Sequence, residues 1–166
     1  MEDEKKYQPL LDIEKIAPLL NKISLFGGLT PGHLALLFPL LQSVSYKAGE
    51  IIFKQGEEPT HIYIVRSGEV KIIVNIDTRP LGIVTFSEGQ CFGETSAIGI
   101  QPHSASAVAV VDTELIVLTT EALLSMFEHA KDLFGLLMLN LAREACRRLQ
   151  KTDEVLLHYV HKEIDR

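Results

Sequence analysis

The residues best suited to chemistry lie in one unbroken stretch, Glu88-Gly-Gln-Cys-Phe-Gly-Glu-Thr-Ser-Ala-Ile-Gly-Ile-Gln-Pro-His-Ser-Ala-Ser-Ala, ending at Ala107. Gly93 precedes a few helix-compatible residues, and Pro102 hands the chain back to a strand-like run. A short helix opened by glycine inside β structure offers free backbone N–H groups and a positive dipole end, which suits one phosphate. The carboxylate of Glu94 beside it suits the hydroxyls of a sugar. The plainer reading of Phe-Gly-Glu alone is a bulged β-turn with a solvated Glu.

Other chemistries find less support. There is no Gly-x-Ser-x-Gly for a nucleophile elbow and no Gly-Lys-Ser/Thr for a P-loop. His158-x-x-His161 with Asp165 has a metal-like spacing, but no cysteine or carboxylate cluster accompanies it. No His-x-His with a following Glu is present to make a metal-holding β roll. The reading is therefore no enzyme, no metal and no resident cofactor. Cys91 and Cys146 are too far apart in sequence to read as a disulfide framework or a metal motif, which points to a reducing cytoplasm.

The elements that must hold this stretch follow from periodicity. The chain has 166 residues and a formal charge of −6, with 46% hydrophobic residues. That suits one globular domain and argues against coating nucleic acid or anionic membrane through bulk charge. Residues 9–42 carry apolar side chains at helical spacing (Leu11, Ile13, Ile16, Leu19, Leu20, Ile23), with Pro18 read as a kink or break, and Thr30-Pro31 reads as a helix start. Residues 44–119 become short runs of Ile, Val, Tyr and Phe punctuated by Gly49, Gly56, Gly68 and Gly89. That texture predicts a sandwich or barrel, with Ser67-Gly68 as a tight hairpin turn. Residues 120–163 return to helix, a short one and then a long one from about Lys131. The start, Met1 to Lys6, does not read as a signal peptide, and Leu133–Ala142 is half the length of a membrane span.

The ordered series Ala48-Gly49-Glu50, Lys54-Gln55-Gly56-Glu57, Ile62-Tyr63, Ser67-Gly68-Glu69-Val70-Lys71, Glu88-Gly89, Phe92-Gly93-Glu94 and Pro102-His-Ser-Ala-Ser resembles the cyclic nucleotide-binding domain family over about Leu25 to Phe127. The resemblance implies a mainly β fold with flanking α: a β roll of jelly-roll type, helices before it and a long helix after it. It implies a phosphate-binding cassette in Gly93 to Ser106. Gly93 and the amides of Thr95, Ser96 and Ala97 would surround the phosphate of cAMP or cGMP. Glu94 would take the ribose 2′-hydroxyl, and Ala105 would count among the ligand-binding residues. Ser104 and Ser106 read either as hydroxyls for a phosphate oxygen or a guanine edge, or as ordinary small residues of a strand. The C-terminal helix would cover the base. Leu156, Leu157, Tyr159 and Val160 read either as a lid over that base or as residues packed against the roll.

The sequence departs from the family pattern at one place. Family cassettes usually carry Arg after the proline, to pair with the phosphate; this chain has His103. An imidazole with an ordinary pKa of about 6.5 is mostly neutral at pH 7. Losing a charge-assisted hydrogen bond costs roughly 1.5–3 kcal/mol, or about ten- to a hundredfold in Kd. His103 therefore leaves open an imidazolium that binds phosphate, a site for another ligand, or a degenerate domain serving as a dimerisation or docking scaffold. Burial all round Leu133–Ala142 predicts a homodimer through the C-terminal helix, unless the N-terminal helices cover it. Arg143-Glu-Ala-Cys-Arg-Arg reads as a solvated face with Glu144 and Arg148 paired. The few turns that follow are too short for a helix-turn-helix, so the expected output passes to an effector protein rather than directly to DNA.

Overall fold

The computed structural model describes residues 7–164, except the side chains of residues 13, 15, 159 and 162–164. The signal-peptide reading of Met1 to Lys6 thus lies outside the described residues. A two-residue strand β1 (Gln8–Pro9) is followed by α1 (Ile13–Leu20), a 3-10 turn (Ser24–Phe26), α2 (Pro31–Leu37) and a second 3-10 turn (Phe38–Leu40). The β region holds β2 (Leu41–Tyr46), β3 (Ile51–Phe53), β4 (His61–Ser67), β5 (Val70–Val74), β6 (Leu81–Phe86), β7 (Cys91–Phe92), β8 (Ser106–Ala109) and β9 (Thr113–Thr119). A short helix α3 (Glu94–Gly99) sits between β7 and β8, and α4 (Thr120–His129) and α5 (Lys131–Ile164) close the chain.

The strands form two antiparallel sheets, ordered β1-β2-β9-β4-β7 and β3-β8-β5-β6. This is the expected β roll with helices on both sides in sequence. The strands of the first sheet explain the near-continuous apolar runs at its centre. In β4, Tyr63 and Val65 join the cluster inside the roll, while Ile62 and Ile64 join the cluster under the helices. In β9, Leu115 and Val117 point inward and Ile116 and Leu118 point to the helices. A strand buried on both faces cannot alternate apolar with polar.

Two boundaries differ from the sequence reading. β2 begins at Leu41, inside the segment read as helical, because the proline-bearing turn at Phe38–Leu40 ends the helix and lets Leu41 pair with Leu118. Ser67-Gly68 is not a hairpin: β4 belongs to the first sheet and β5 to the second. The chain crosses between sheets there, with Gly68 at φ +92° against the backbone of Asp112 and Thr113, where a Cβ has no room. The predicted start at Thr30 is present as a reciprocal cap, Thr30 Oγ1 accepting from the His33 amide and His33 Nδ1 from the Thr30 amide.

The helix α5 is anchored by its inner face. Leu133, Leu137 and Leu141 are buried with Leu25, Phe26 and Leu37 of the N-terminal segment. The N-terminal helices therefore cover one side of the apolar stretch. Between them, buried Asn140 donates from Nδ2 to the carbonyls of Leu25 (2.9 Å) and Gly27 (2.8 Å). Asn140→Ala is expected to leave both carbonyls without that donor and to lower stability by about 1–3 kcal/mol, read from urea unfolding midpoints.

Candidate functional site

The site is built where β7 ends. Phe92 pairs with Tyr63 of β4, so the strand end is fixed by the first sheet. Gly93 then turns the chain at φ +80°, where a Cβ would meet the His61 carbonyl oxygen at 3.2 Å and the Tyr63 ring at 3.4 Å. That conformation and that crowding both favour glycine. Helix α3 follows and ends at Ile100, itself at φ 50°. The return segment is clamped to the loop after β3: Gly56 donates to the His103 carbonyl (2.8 Å) and His103 to the Glu57 carbonyl (2.9 Å). Gln55 donates to Ser106 Oγ at 2.9 Å, so the buried Ser106 hydroxyl serves the loop.

These elements enclose a cavity of about 250 Å³. One wall is the cassette: Gly93, Glu94, Thr95, Ser96, His103, Ser104 and Ala105. The opposite wall is apolar, from Phe53, Ile72, Ile83, Val84, Phe86 and Phe92. Arg148 of α5 completes it. Seven of the eight residues singled out from the sequence thus share one cavity. Ala97 does not. Its amide donates to the Gly93 carbonyl at 3.1 Å as the first bond of α3, and its methyl packs on the helical core. A helix spends its fourth amide on itself, which leaves only the amides before it unpaired by the helix.

Glu94 is the unusual group. It is 1% exposed, and its Oε1 accepts from Arg148 Nη1 at 2.5 Å. Its Oε2 is buried with no hydrogen-bond partner. Burial raises the Glu94 pKa, and the Arg148 guanidinium opposes that shift. Arg148 also donates from Nη2 to the Cys91 carbonyl, contacts Glu144 Oε1 from Nε at 3.4 Å and lies 4.6 Å from the centre of the Phe86 ring. The i, i+4 pair with Glu144 read from the sequence is therefore present, but the shorter contact goes to Glu94. Cys91, buried against these charges, has its thiol pushed up to about 12 and is held protonated.

His103 faces a different environment from a phosphate-binding arginine. It is 5% exposed and stacks on Phe53, with ring centres 3.7 Å apart and planes 10° apart. Burial lowers its pKa, with Glu57 opposing. Leu156, Leu157 and Val160 are exposed and form no lid, while the Tyr159 side chain lies outside the described residues. Among the described residues no group of three His, Cys, Asp or Glu is placed to hold a metal, and Asp165 lies outside them. No helix among them is long and apolar enough to cross a membrane.

Sequence reasoning missed Arg148 and the apolar wall. Arg148 is 54 residues from Glu94, and its i, i+4 spacing from Glu144 marks it for a local pair rather than for the cavity. The wall was legible only as ordinary strand residues.

Comparison with known proteins places this geometry. The profile described as the cyclic nucleotide-binding domain matches residues 43–130. The cyclic AMP receptor protein of Thermus thermophilus is 35% identical over 130 residues, which is 78% of this chain and 58% of the receptor. The chain thus spans about three fifths of that relative's length. Among solved structures, a cyclic nucleotide-binding domain from Methylobacillus flagellatus superposes with a TM-score of 0.76 at 26% identity, covering 87% of this chain and 82% of that one. The catabolite activator protein of Thermus thermophilus superposes with a TM-score of 0.70 at 34% identity, covering 80% and 61%.

The depressed pKa of His103 has a measurable consequence. The unfolded chain takes up this proton as the pH falls below about 6.5, whereas the folded chain does so only at lower pH. The residue's contribution is therefore full above that value and declines as the pH drops. His103→Phe keeps the stack and removes the proton, so its urea midpoint should fall less between pH 7 and pH 5 than that of the parent.

Proposed function

The chain belongs to the cyclic nucleotide-binding domain family, and on that premise we propose that it is a regulatory module that binds cAMP or cGMP in the cavity between the cassette and α5. The observation that carries this reading is Glu94. A carboxylate oxygen buried without a partner is costly unless a ligand supplies a donor. The ribose 2′-hydroxyl is such a donor. The amides of Thr95 and Ser96, the Gly93 turn and the Ser104 hydroxyl surround the cyclic phosphate, Ala105 and His103 back it, and the apolar wall takes the base. The module has no catalytic role and works in the cytoplasm, a setting that suits its two free cysteines.

The output is motion of α5. Arg148 ties α5 to the first residue of α3, so a ligand that engages Glu94 changes how the long helix is held. A ligand shifts such an equilibrium only by its differential affinity for the two positions. The effector is a partner protein or a region outside this sequence. Titration calorimetry with cAMP and with cGMP tests the binding reading. Saturable binding of at least one is expected, and Glu94→Gln should weaken it about ten- to a hundredfold, the loss of a charged acceptor. No binding of either nucleotide would favour a docking scaffold instead.

The outer face of α5 supports a homodimer. Leu139, Ala142, Cys146, Leu149, Asp153, Leu156 and Val160 follow one another at alternating steps of three and four, and all are exposed. That spacing makes a seam for a second helix. In a parallel pair, Cys146 would meet Cys146 of the other copy. Light scattering after size exclusion should give twice 18.5 kDa, and mild oxidation should cross-link the dimer in the parent but not in Cys146→Ser. A monomer at every concentration would exclude the pair.

A further inference from the structure

A cyclic nucleotide brings a negative charge into a cavity whose lining contains a single arginine or lysine, Arg148, among the described residues. The cassette wall offers His103, a buried ring stacked on Phe53, where burial disfavours its charged form. It also offers the Glu94 carboxyl, which Arg148 already contacts. We propose that Arg148, on the C-terminal helix, is the cation that recognises the ligand's phosphate here, so that one guanidinium serves both Glu94 and the nucleotide. The proposal rests on the nucleotide-binding reading above and names the residue that makes that reading electrostatically workable.

Three observations support it. First, the guanidinium already sits at the root of the cassette. Nη1 is on Glu94 and Nη2 on the Cys91 carbonyl, the residues that bracket Phe92 and Gly93. Second, its contacts do not exhaust it. A guanidinium has five N–H donors in a planar fork; Nη2 serves the Cys91 carbonyl and, at 3.8 Å, the Cys91 sulfur, Nε faces Glu144, and Nη1 serves Glu94 with one of its two hydrogens. Third, its side chain is 28% exposed, whereas that of Glu94 is 2% exposed. The arginine is therefore the more accessible member of the pair, and Glu144 and the Phe86 face hold it near the cavity if the Glu94 contact lengthens. Because Arg148 belongs to α5, phosphate recognition and the position of that helix become one event.

A double-mutant cycle tests this. The parent, Arg148→Gln, His103→Arg and the double variant are titrated with cAMP and cGMP by calorimetry. Arg148→Gln is expected to weaken the nucleotide that the parent binds by at least about tenfold, the loss of a charged hydrogen bond. His103→Arg places a second cation on the cassette, so Arg148→Gln should cost less than about threefold in that background, the coupling expected when two groups share one role. Arg148→Lys keeps the charge without the fork and should fall between. If Arg148→Gln melts below the assay temperature, the same comparison is read from Arg148→Lys in both backgrounds.

An equal loss in both backgrounds would overturn the proposal, as would tighter binding in Arg148→Gln, which would make the arginine a stopper on Glu94. Binding by His103→Arg but not by the parent would also overturn it, while leaving the cavity a nucleotide site. Binding about tenfold tighter at pH 6 than at pH 8, abolished by His103→Gln, would assign the phosphate to a protonated His103 instead. Binding by neither the parent nor His103→Arg would remove the nucleotide reading itself, and the role of Arg148 with it.

Discussion

A carboxylate inside a protein must be paired or hydrogen-bonded, and Glu94 meets that demand with one guanidinium from a residue 54 positions along the chain. The pair fixes the relation between the cassette and α5. Arg148 bridges the end of β7 and the start of α3, and it leans on Glu144 of its own helix and on Phe86 of β6. Removing one member of a buried pair typically costs about 3–5 kcal/mol, because the other charge is left uncompensated. Arg148 is partly exposed, so its share of that cost is smaller than that of Glu94. The half that is short of partners is thus the carboxylate, one of whose oxygens remains unsatisfied.

The rest of the fold can be read as what it takes to bring those two groups together. Burial of β4 and β9 on both faces makes the first sheet the common floor of the roll and of the helices. β7 is only two residues long, yet it hangs from β4 at Phe92 and Cys91, so the cassette inherits the rigidity of the sheet centre. On the other side of that floor, Leu133, Leu137 and Leu141 seat α5 on the N-terminal helices. The cavity lies where the two supports diverge.

Much of this was legible from residue types. The glycines marked the turns, the alternation of strands and glycines gave the roll, and Gly93 to Ala105 named one wall of the cavity. What was not legible depended on distance or on choice among equals. Ser67-Gly68 has hairpin composition, and only the pairing of β4 with β9 and of β5 with β8 shows that the chain changes sheets there. Ala97 looks like its neighbours Thr95 and Ser96, and only the count of the helix turn separates its amide from theirs. Arg148 stands in a run of arginines, and its i, i+4 relation to Glu144 gave it a sufficient local explanation. A satisfied local pair hid a longer-range one.

Two of the polar attachments of α5, those of Asn140 and Arg148, differ in kind, and that difference bears on how such a module would work. Asn140 binds neutral carbonyls of Leu25 and Gly27, a contact indifferent to charge in the cavity. Arg148 lies eight residues on, about 12 Å along the helix, and its contact is with an acidic side chain that lines the cavity. A ligand at Glu94 therefore acts on the second attachment and leaves the first in place. Under the proposed reading, Asn140 is the pivot and Arg148 the latch. Beyond the latch the helix runs on to Ile164, with Leu149, Leu156 and Leu157 exposed. A small rotation about the pivot is largest at that far end, where the seam of exposed residues continues through Leu156 and Val160. The charge that recognises the ligand and the surface that meets a partner then lie on one rigid element, and no separate transmitting network is required.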